Sequence, residues 1–255
     1  MLQQSAEAPV LVARDSAVAT VTLNRPAKLN PLEGTLLTAL GAALDEVEAD
    51  PAVAVVVLRG AGKAFVAGGD LEVLHSDGPD AWHLVARFQD AIRQISSMGK
   101  PVLASLHGAV AGGGFSLALA CDLAIAGDDM RMIYAYSKIA ATCDGGLSYR
   151  LPRMVGTRKA LELALIGDAV DAAEALRLGL VNWVVPAAEL EAETARIARR
   201  LAKLPPDVCR QTKALFHQSW ARDLDEQLKA EVESFRTICA LPTFRQAIAS
   251  FLGKA

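Results

Sequence analysis

Two short segments constrain this chain more than any other feature. They are Lys63-Ala64-Phe65-Val66-Ala67-Gly68-Gly69-Asp70 and Gly108-Ala109-Val110-Ala111-Gly112-Gly113-Gly114-Phe115-Ser116. Each follows a run of aliphatic and β-branched residues that reads as a buried strand, Val53 to Leu58 in one case and Pro101 to Leu106 in the other. Each ends in glycines that open an apolar helical stretch. Glycine lets the backbone turn sharply and approach a ligand without a Cβ clash. The first amides of a helix have no partner within it and point outward. Two such places facing each other would aim two N–H donors at one oxygen, which is the arrangement of an oxyanion hole.

Taken singly, a glycine cluster after a strand is more simply a tight turn with close helix packing. Nucleotide-binding readings fail on spacing. Gly60-Ala61-Gly62-Lys63 lacks the four-residue gap and the Ser/Thr of a phosphate loop, and Gly112-Gly113-Gly114 lacks the spaced third glycine of a dinucleotide fingerprint. The order and separation of the two motifs are far more specific than either alone. They stand with Leu23-Asn24-Arg25-Pro26-Ala27-Lys28-Leu29-Asn30-Pro31-Leu32, Leu117 to Asp122, Leu151-Pro152-Arg153-Met154-Val155-Gly156, Ala172 to Val185 and a closing Phe251-Leu252-Gly253-Lys254. Together these segments resemble the enoyl-CoA hydratase/isomerase family, the crotonase superfamily, over nearly the whole chain.

The pattern along the chain gives a coarse architecture. Val10 to Arg14 and Ala17 to Leu23 read as a hairpin. Leu32 to Ala49 and Trp82 to Met98 read as amphipathic helices, and Leu71 to Pro79 as a polar loop. Ala120 to Ala126 and Arg131 to Tyr134 read as short strands. From Thr157 onward the pattern is helical. The recurring strand–strand–helix unit suggests α/β layering. The resemblance implies that it takes the form of a crotonase-like spiral of ββα units with a helical C-terminal trimerisation region. The spiral acyl-CoA-binding core would then be residues 1–186, up to Pro186, and the helical region residues 187–255.

Composition bounds the function classes. The chain has 255 residues, 52% hydrophobic and only 5% aromatic, so its core is built from Ala, Leu and Val. A formal net charge of −3 with no strongly basic stretch argues against nucleic acid as the main partner. Cys121, Cys143, Cys209 and Cys239 show no CxxC spacing, and reduced thiols in a cytoplasmic protein are the simplest reading. The longest apolar run, Gly108 to Cys121, is too short to span a bilayer. No spacing suggests a metal site.

The resemblance carries roles onto particular residues. The amides of Gly69 and Gly113 would hold the thioester oxygen of an acyl-CoA, with coenzyme A as part of the substrate and no further cofactor. Lys28, Ala67 and Leu71 would meet the coenzyme A portion, and Phe251 and Lys254 would reach it from a neighbouring subunit of a homotrimer or dimer of trimers. Family members that hydrate an enoyl-CoA use two glutamates. Their positions here hold Ser116, three residues after Gly113, and Tyr136, so simple hydration is not expected. A carboxylate reappears at Asp144. It matches isomerase-type members in which an aspartate moves protons on the acyl chain. It also matches the 4-chlorobenzoyl-CoA dehalogenase branch, in which an aspartate is a nucleophile. That branch has tryptophan where Tyr136 stands and a water-activating histidine near the position of Gln89.

The residues themselves leave alternatives open. Asp144-Gly145 is also a common turn dipeptide. Tyr136 reads first as pocket wall and second as a hydroxyl holding Asp144. Cys143 has no histidine near it in sequence, His75, His83 and Trp82 read as loop or packing residues, and His107 as structural. The leading expectation is an enoyl-CoA isomerase with Asp144 as proton shuttle. The competing ones are a nucleophilic dehalogenase or thioester hydrolase, a hydratase, and a non-catalytic acyl-CoA-binding or RNA-binding relative.

Overall fold

A computed structural model of the chain describes residues 8–254. The hairpin forms between β1 (Val10–Asp15) and β2 (Val18–Leu23), with Ser16 in the left-handed region at its tip. Helix α1 (Gly34–Ala49) starts two residues later than its apolar pattern suggests. Glu33 caps it, its carboxylate accepting from the amides of Thr35 and Leu36, and a cap residue is by nature outside the helix it starts.

Next come β3 (Val55–Gly60), β4 (Ala64–Val66), α2 (Leu71–Asp77) and α3 (Trp82–Ser97). The unit repeats as β5 (Val102–Leu106), β6 (Ala109–Ala111) and α4 (Gly113–Ala120), and again as β7 (Leu123–Gly127), β8 (Arg131–Ile133), α5 (Leu147–Val155) and α6 (Thr157–Leu165). In every repeat the first strand joins one sheet and the second joins another. The larger sheet has the order β1-β2-β3-β5-β7 and is completed by β10 (Trp183–Val185). The smaller has the order β4-β6-β8-β9, with β9 at Val170–Asp171 and α7 (Ala172–Arg177) between β9 and β10. This is the spiral of ββα units implied by the family resemblance.

Alternation along the strands sorts the core into two faces. Val21, Val56 and Leu58 face α1 and α3 through Leu36, Leu40, Leu44, Ile92 and Ile95. Val18, Val55, Val57, Leu103 and Ile125 face the other way, onto Leu190, Ile197 and Ala198 of α8 (Leu190–Leu201). Successive side chains on a strand point to opposite faces, so a strand buried on both sides reads as an unbroken apolar run.

Three local expectations are corrected. Residues 71–79 are not a polar loop: α2 forms because the Asp70 carboxylate caps it, accepting from the amides of Glu72 and Val73. Helix α5 escaped the sequence pattern because Pro152 lies inside it, where proline removes one backbone donor. The segment after Thr157 is not wholly helical, because β9 and β10 are too short to show a period. No helix among the described residues is long and apolar enough to cross a membrane.

Helices α9 (Pro206–Gln218), α10 (Leu224–Cys239) and α11 (Pro242–Phe251) follow. The main domain does not cover their apolar residues: Phe216, Leu224, Val232 and Phe235 remain exposed on the chain. What ties α9 to the core is polar. The buried Lys213 ammonium donates to Asp122 Oδ2 at 2.8 Å and to the carbonyls of Ile95 and Lys100 at 2.8 and 3.2 Å. That occupies all three donors of a lysine. Asp122 in turn accepts from the Val102 amide at 2.8 Å, and His217 Nε2 lies 3.0 Å from its other oxygen. Removing one member of a buried ion pair leaves the other charge unpaired, which costs about 3–5 kcal/mol. Lys213→Met is therefore expected to destabilise the chain by roughly that amount in denaturant unfolding. A loss below about 1 kcal/mol, the scale of an exposed pair, would show that the pair does not anchor the tail.

Candidate active site

The two glycine turns meet. Beyond β4 the chain runs extended past Leu32, whose amide donates to Gly68 O at 2.8 Å while the Asp70 amide donates to Leu32 O at 3.2 Å. In such a bridge the residue between the two bonded groups points its own N–H the other way. Gly69 is that residue. Gly113 is the first residue of α4, where an amide has no partner within the helix. Neither amide donates to another described backbone group. Gly68 and Gly112 have φ of +125° and +51°, and a Cβ placed on Gly112 would lie 3.6 Å from the Gly68 Cα. A Cβ would fit there at ordinary van der Waals contact, so it is the positive φ of both turns that calls for glycine.

Gly69 and Gly113 line one cavity of about 250 Å³ together with Ala67, Leu71, Tyr136 and Asp144. The rest of its wall is mostly apolar, from Leu32, Leu74, Leu84, Val85, Phe88 and Ile139. Asp144 is the sole carboxylate among the described lining residues, and Lys138 the sole cation.

Asp144 is delivered by an unusual stretch of backbone. A single 3-10 turn, Tyr136–Ile139, is flanked by Ala135 and Ala140, both in the left-handed region at φ 62° and 55°. L-residues with a Cβ pay about 1 kcal/mol for that conformation. The turn buries Tyr136 and points its hydroxyl at Asp144, donating to Oδ1 at 2.6 Å. Ser116, fully buried on α4, sits 3.0 Å from the Tyr136 hydroxyl and donates to the Asp144 carbonyl at 3.0 Å. Gly145 makes the corner possible: a Cβ there would strike Phe88 Cε1 at 2.4 Å and Ser116 Cβ at 2.7 Å.

Besides Tyr136, the carboxylate is held only by the amide of Asp144 itself among the described residues. Asp144 lines the cavity. Burial pushes the Asp144 carboxyl above the usual carboxylate range, and the Tyr136 hydrogen bond opposes this only in part. Burial and the neighbouring carboxylate push Tyr136 well above the usual phenol range, so it stays a donor. A carboxylate of raised proton affinity beside two free amides can take a proton from carbon while the amides receive the charge that develops on oxygen.

The structure thus gathers Gly69, Gly113, Ala67, Leu71, Tyr136 and Asp144, with Ser116 directly behind. Tyr136 is both wall and hydrogen-bond donor, so reading it first as wall undervalued it. Lys28 does not line the cavity. It pairs with Glu72 at 3.1 Å and Asp70 at 3.7 Å, at the start of the helix that supplies Leu71 and Leu74. Phe251 and Lys254 lie on the tail, outside this chain's cavity, with Phe251 92% exposed. Gln89, His75, His83 and Trp82 do not line it either, and Trp82 stacks on His83. His107 Nε2 lies 3.0 Å from the Gly62 carbonyl. Cys143 faces away from the cavity, with Tyr134 in a separate apolar pocket. Among the described residues no cluster suits a metal ion. The sequence reading missed Phe88 and Lys138. Phe88 carried only a core-packing signal, and Lys138 stands in the stretch between Tyr136 and Asp144, both of which were candidates.

A buried carboxylate with raised proton affinity costs stability when ionised. The cost is absent below the unfolded-state value of about 3.9 and grows until the pH passes the raised folded-state value. Asp144→Asn is therefore expected to raise the melting temperature at neutral pH, with the gain vanishing below about pH 4. Equal melting temperatures across that range would show that the carboxylate is well solvated.

The enoyl-CoA hydratase/isomerase family model matches residues 13–255. The chain is 33% identical over 246 residues to the 1,2-epoxyphenylacetyl-CoA isomerase of Escherichia coli, covering 94% of each chain. It is 33% identical over 250 residues to 4-chlorobenzoyl coenzyme A dehalogenase-1 of an Arthrobacter species, covering 96% of this chain and 91% of that one. Its structure is similar to that of an enoyl-CoA hydratase from Mycobacterium smegmatis, with a TM-score of 0.93 and 32% identity over 97% of both chains. A match of this extent, with the paired glycine turns meeting on one cavity, makes the chain a member of the enoyl-CoA hydratase/isomerase family.

Proposed function

We propose that this acyl-CoA enzyme isomerises an enoyl-CoA, moving a double bond or performing a related proton shift. The observation that carries the reading is the lone lining carboxylate, Asp144, where Ser116 and Tyr136 stand at the two glutamate positions of hydratase-type relatives. The thioester oxygen would sit between the amides of Gly69 and Gly113. The α4 N-terminus adds a partial positive charge there. Asp144 would take a proton from one acyl carbon while the electron pair delocalises onto the held oxygen. It would then return the proton at another carbon. Each amide contributes about 3–4 kcal/mol in the transition state at sites of this kind. The apolar wall keeps water from the dienolate and keeps the carboxylate basic.

The proposal extends to assembly. Phe251 and Lys254 would reach coenzyme A only on a neighbouring subunit of a homotrimer or dimer of trimers. The exposed apolar tail residues suit such burial.

Three measurements test the chemistry. Hydration of crotonyl-CoA is expected to be very slow, because among the described residues no second carboxylate lines the cavity to activate water. Brisk hydration by pure protein would place this chain with the hydratases instead. The other two separate shuttle from nucleophile. In heavy water, deuterium is expected in the recovered enoyl-CoA, and Asp144→Asn should slow that exchange by about 10²–10⁴-fold. In single turnovers in heavy-oxygen water, the peptide holding Asp144 is expected to gain no mass. Label in that peptide would mean an ester intermediate cleaved by water, as in a dehalogenase-like or hydrolase reaction.

A further inference from the structure

The hydroxyls behind Asp144 present a counting problem. Three contacts form a closed circuit: Tyr136 hydroxyl to Asp144 Oδ1 at 2.6 Å, Tyr136 hydroxyl to Ser116 Oγ at 3.0 Å, and Ser116 Oγ to the Asp144 carbonyl at 3.0 Å. Each contact needs one hydrogen. A phenol and a serine supply one each, and a carboxylate and a carbonyl supply none. With Asp144 ionised, two hydrogens serve three contacts, and two oxygens face each other with nothing between them. With Asp144 protonated on Oδ1, the circuit closes. The carboxyl donates to Tyr136, Tyr136 turns its hydrogen to Ser116, and Ser116 donates to the Asp144 carbonyl.

We propose that Ser116 is a positioning residue whose hydroxyl, linking Tyr136 to the Asp144 carbonyl, completes a hydrogen-bonded ring when Asp144 carries a proton, and so shifts Asp144 toward its neutral form against the Tyr136 bond, which by itself favours the carboxylate. The proposal rests on the reading of Asp144 as the proton shuttle for its catalytic meaning, since a carboxylate that holds a proton more firmly is a stronger base toward a weakly acidic carbon. The other groups that face the ring are the Asp144 amide, which donates toward the carboxylate and the Tyr136 oxygen, and the titratable Tyr134 hydroxyl. The 3-10 turn contributes Tyr136 and the more distant Lys138. Helix α4 contributes Ser116, α3 contributes uncharged Phe88, α2 contributes Leu71 and Leu74, and the Cys143 thiol is turned to Tyr134. Among the described residues, no other charged group lines the cavity with Asp144. Burial acts in the same direction as the ring.

The ring has a signature that packing alone does not produce. Ser116→Ala removes two ring contacts from the neutral state but one from the ionised state, so the Asp144 titration midpoint falls. One neutral hydrogen bond corresponds to a fall of about half to one pH unit. In a Tyr136→Phe background, Ser116 bonds only the Asp144 carbonyl in both states, so the same substitution shifts nothing. Ser116→Cys, with a thiol that bonds weakly, should move the midpoint the same way by less.

The experiment is a carbon-13 carboxyl titration of the full chain labelled at aspartate, with the Asp144 signal assigned by its loss in Asp144→Asn. Melting curves confirm that each variant is folded. Alongside it, the pH dependence of kcat/KM is measured with 3-hexenoyl-CoA as probe. A lower midpoint in Ser116→Ala, absent in the Tyr136→Phe background, supports the ring. An unmoved or raised midpoint, or equal shifts in both backgrounds, overturns it. The two readings fail separately. A shifted midpoint without turnover of any enoyl-CoA keeps the ring and removes the shuttle. Turnover without a shift removes the ring and keeps the shuttle.

Discussion

The parallel pairing of two three-residue strands, β4 and β6, sets up everything at this site. Ala64 pairs with Ala109 and Val66 with Val110, so the turns that follow each strand emerge side by side. Each turn carries an amide with no backbone partner, one from an extended bridge and one from a helix start. Separate sheets for the long and short strands make this possible. The larger sheet carries the apolar load on both faces, which leaves the ends of the smaller one free to shape a cavity. An oxygen placed there would meet donors already oriented by the fold, with no reorganisation at the moment of reaction.

Asp144 is the counterpart of those donors and the costly element of the site. Its carboxylate is partly removed from water and held by one phenol and its own amide, among aliphatic and aromatic neighbours. The backbone reaches that position through two alanines in the left-handed region and through a glycine pressed against Phe88. Strain and burial both oppose stability, and burial holds the proton affinity of this acid above the usual carboxylate range. Relatives of similar identity are named as a hydratase, an isomerase and a dehalogenase. In the reading proposed for this chain, Asp144 and Tyr136 would stand over the acyl chain, with Ser116 behind them.

The tail is held by a different kind of force. Lys213 and Asp122 fix α9 to the core by a buried ion pair with every donor satisfied, while the apolar residues of α9 to α11 remain largely uncovered. A polar latch of this kind specifies one docking geometry and leaves the apolar surface available for burial elsewhere.

The sequence by itself determined the frame. Unbroken valine and leucine runs marked the strands of the larger sheet, since strands buried on both faces show no alternation. Leucines at helical spacing marked α1 and α3, and the two glycine motifs marked the turns, because few other residues take the positive φ found there. Asp144 was legible as a carboxylate inside a recognisable motif. Short elements were not: β9 and β10 span too few residues to carry a period, α2 depends on the Asp70 cap, and Pro152 masked α5. Only the tertiary structure decided what surrounds Asp144. The Tyr136 hydroxyl was a second reading for holding Asp144, but no local pattern relates Ser116 to either of them. Their contact arises where the start of α4, a strained 3-10 turn and the Gly145 corner are pressed together by packing. Spacing along a chain encodes which face a residue takes within its own element. Which hydroxyl meets which carboxylate across three elements is set by how those elements pack.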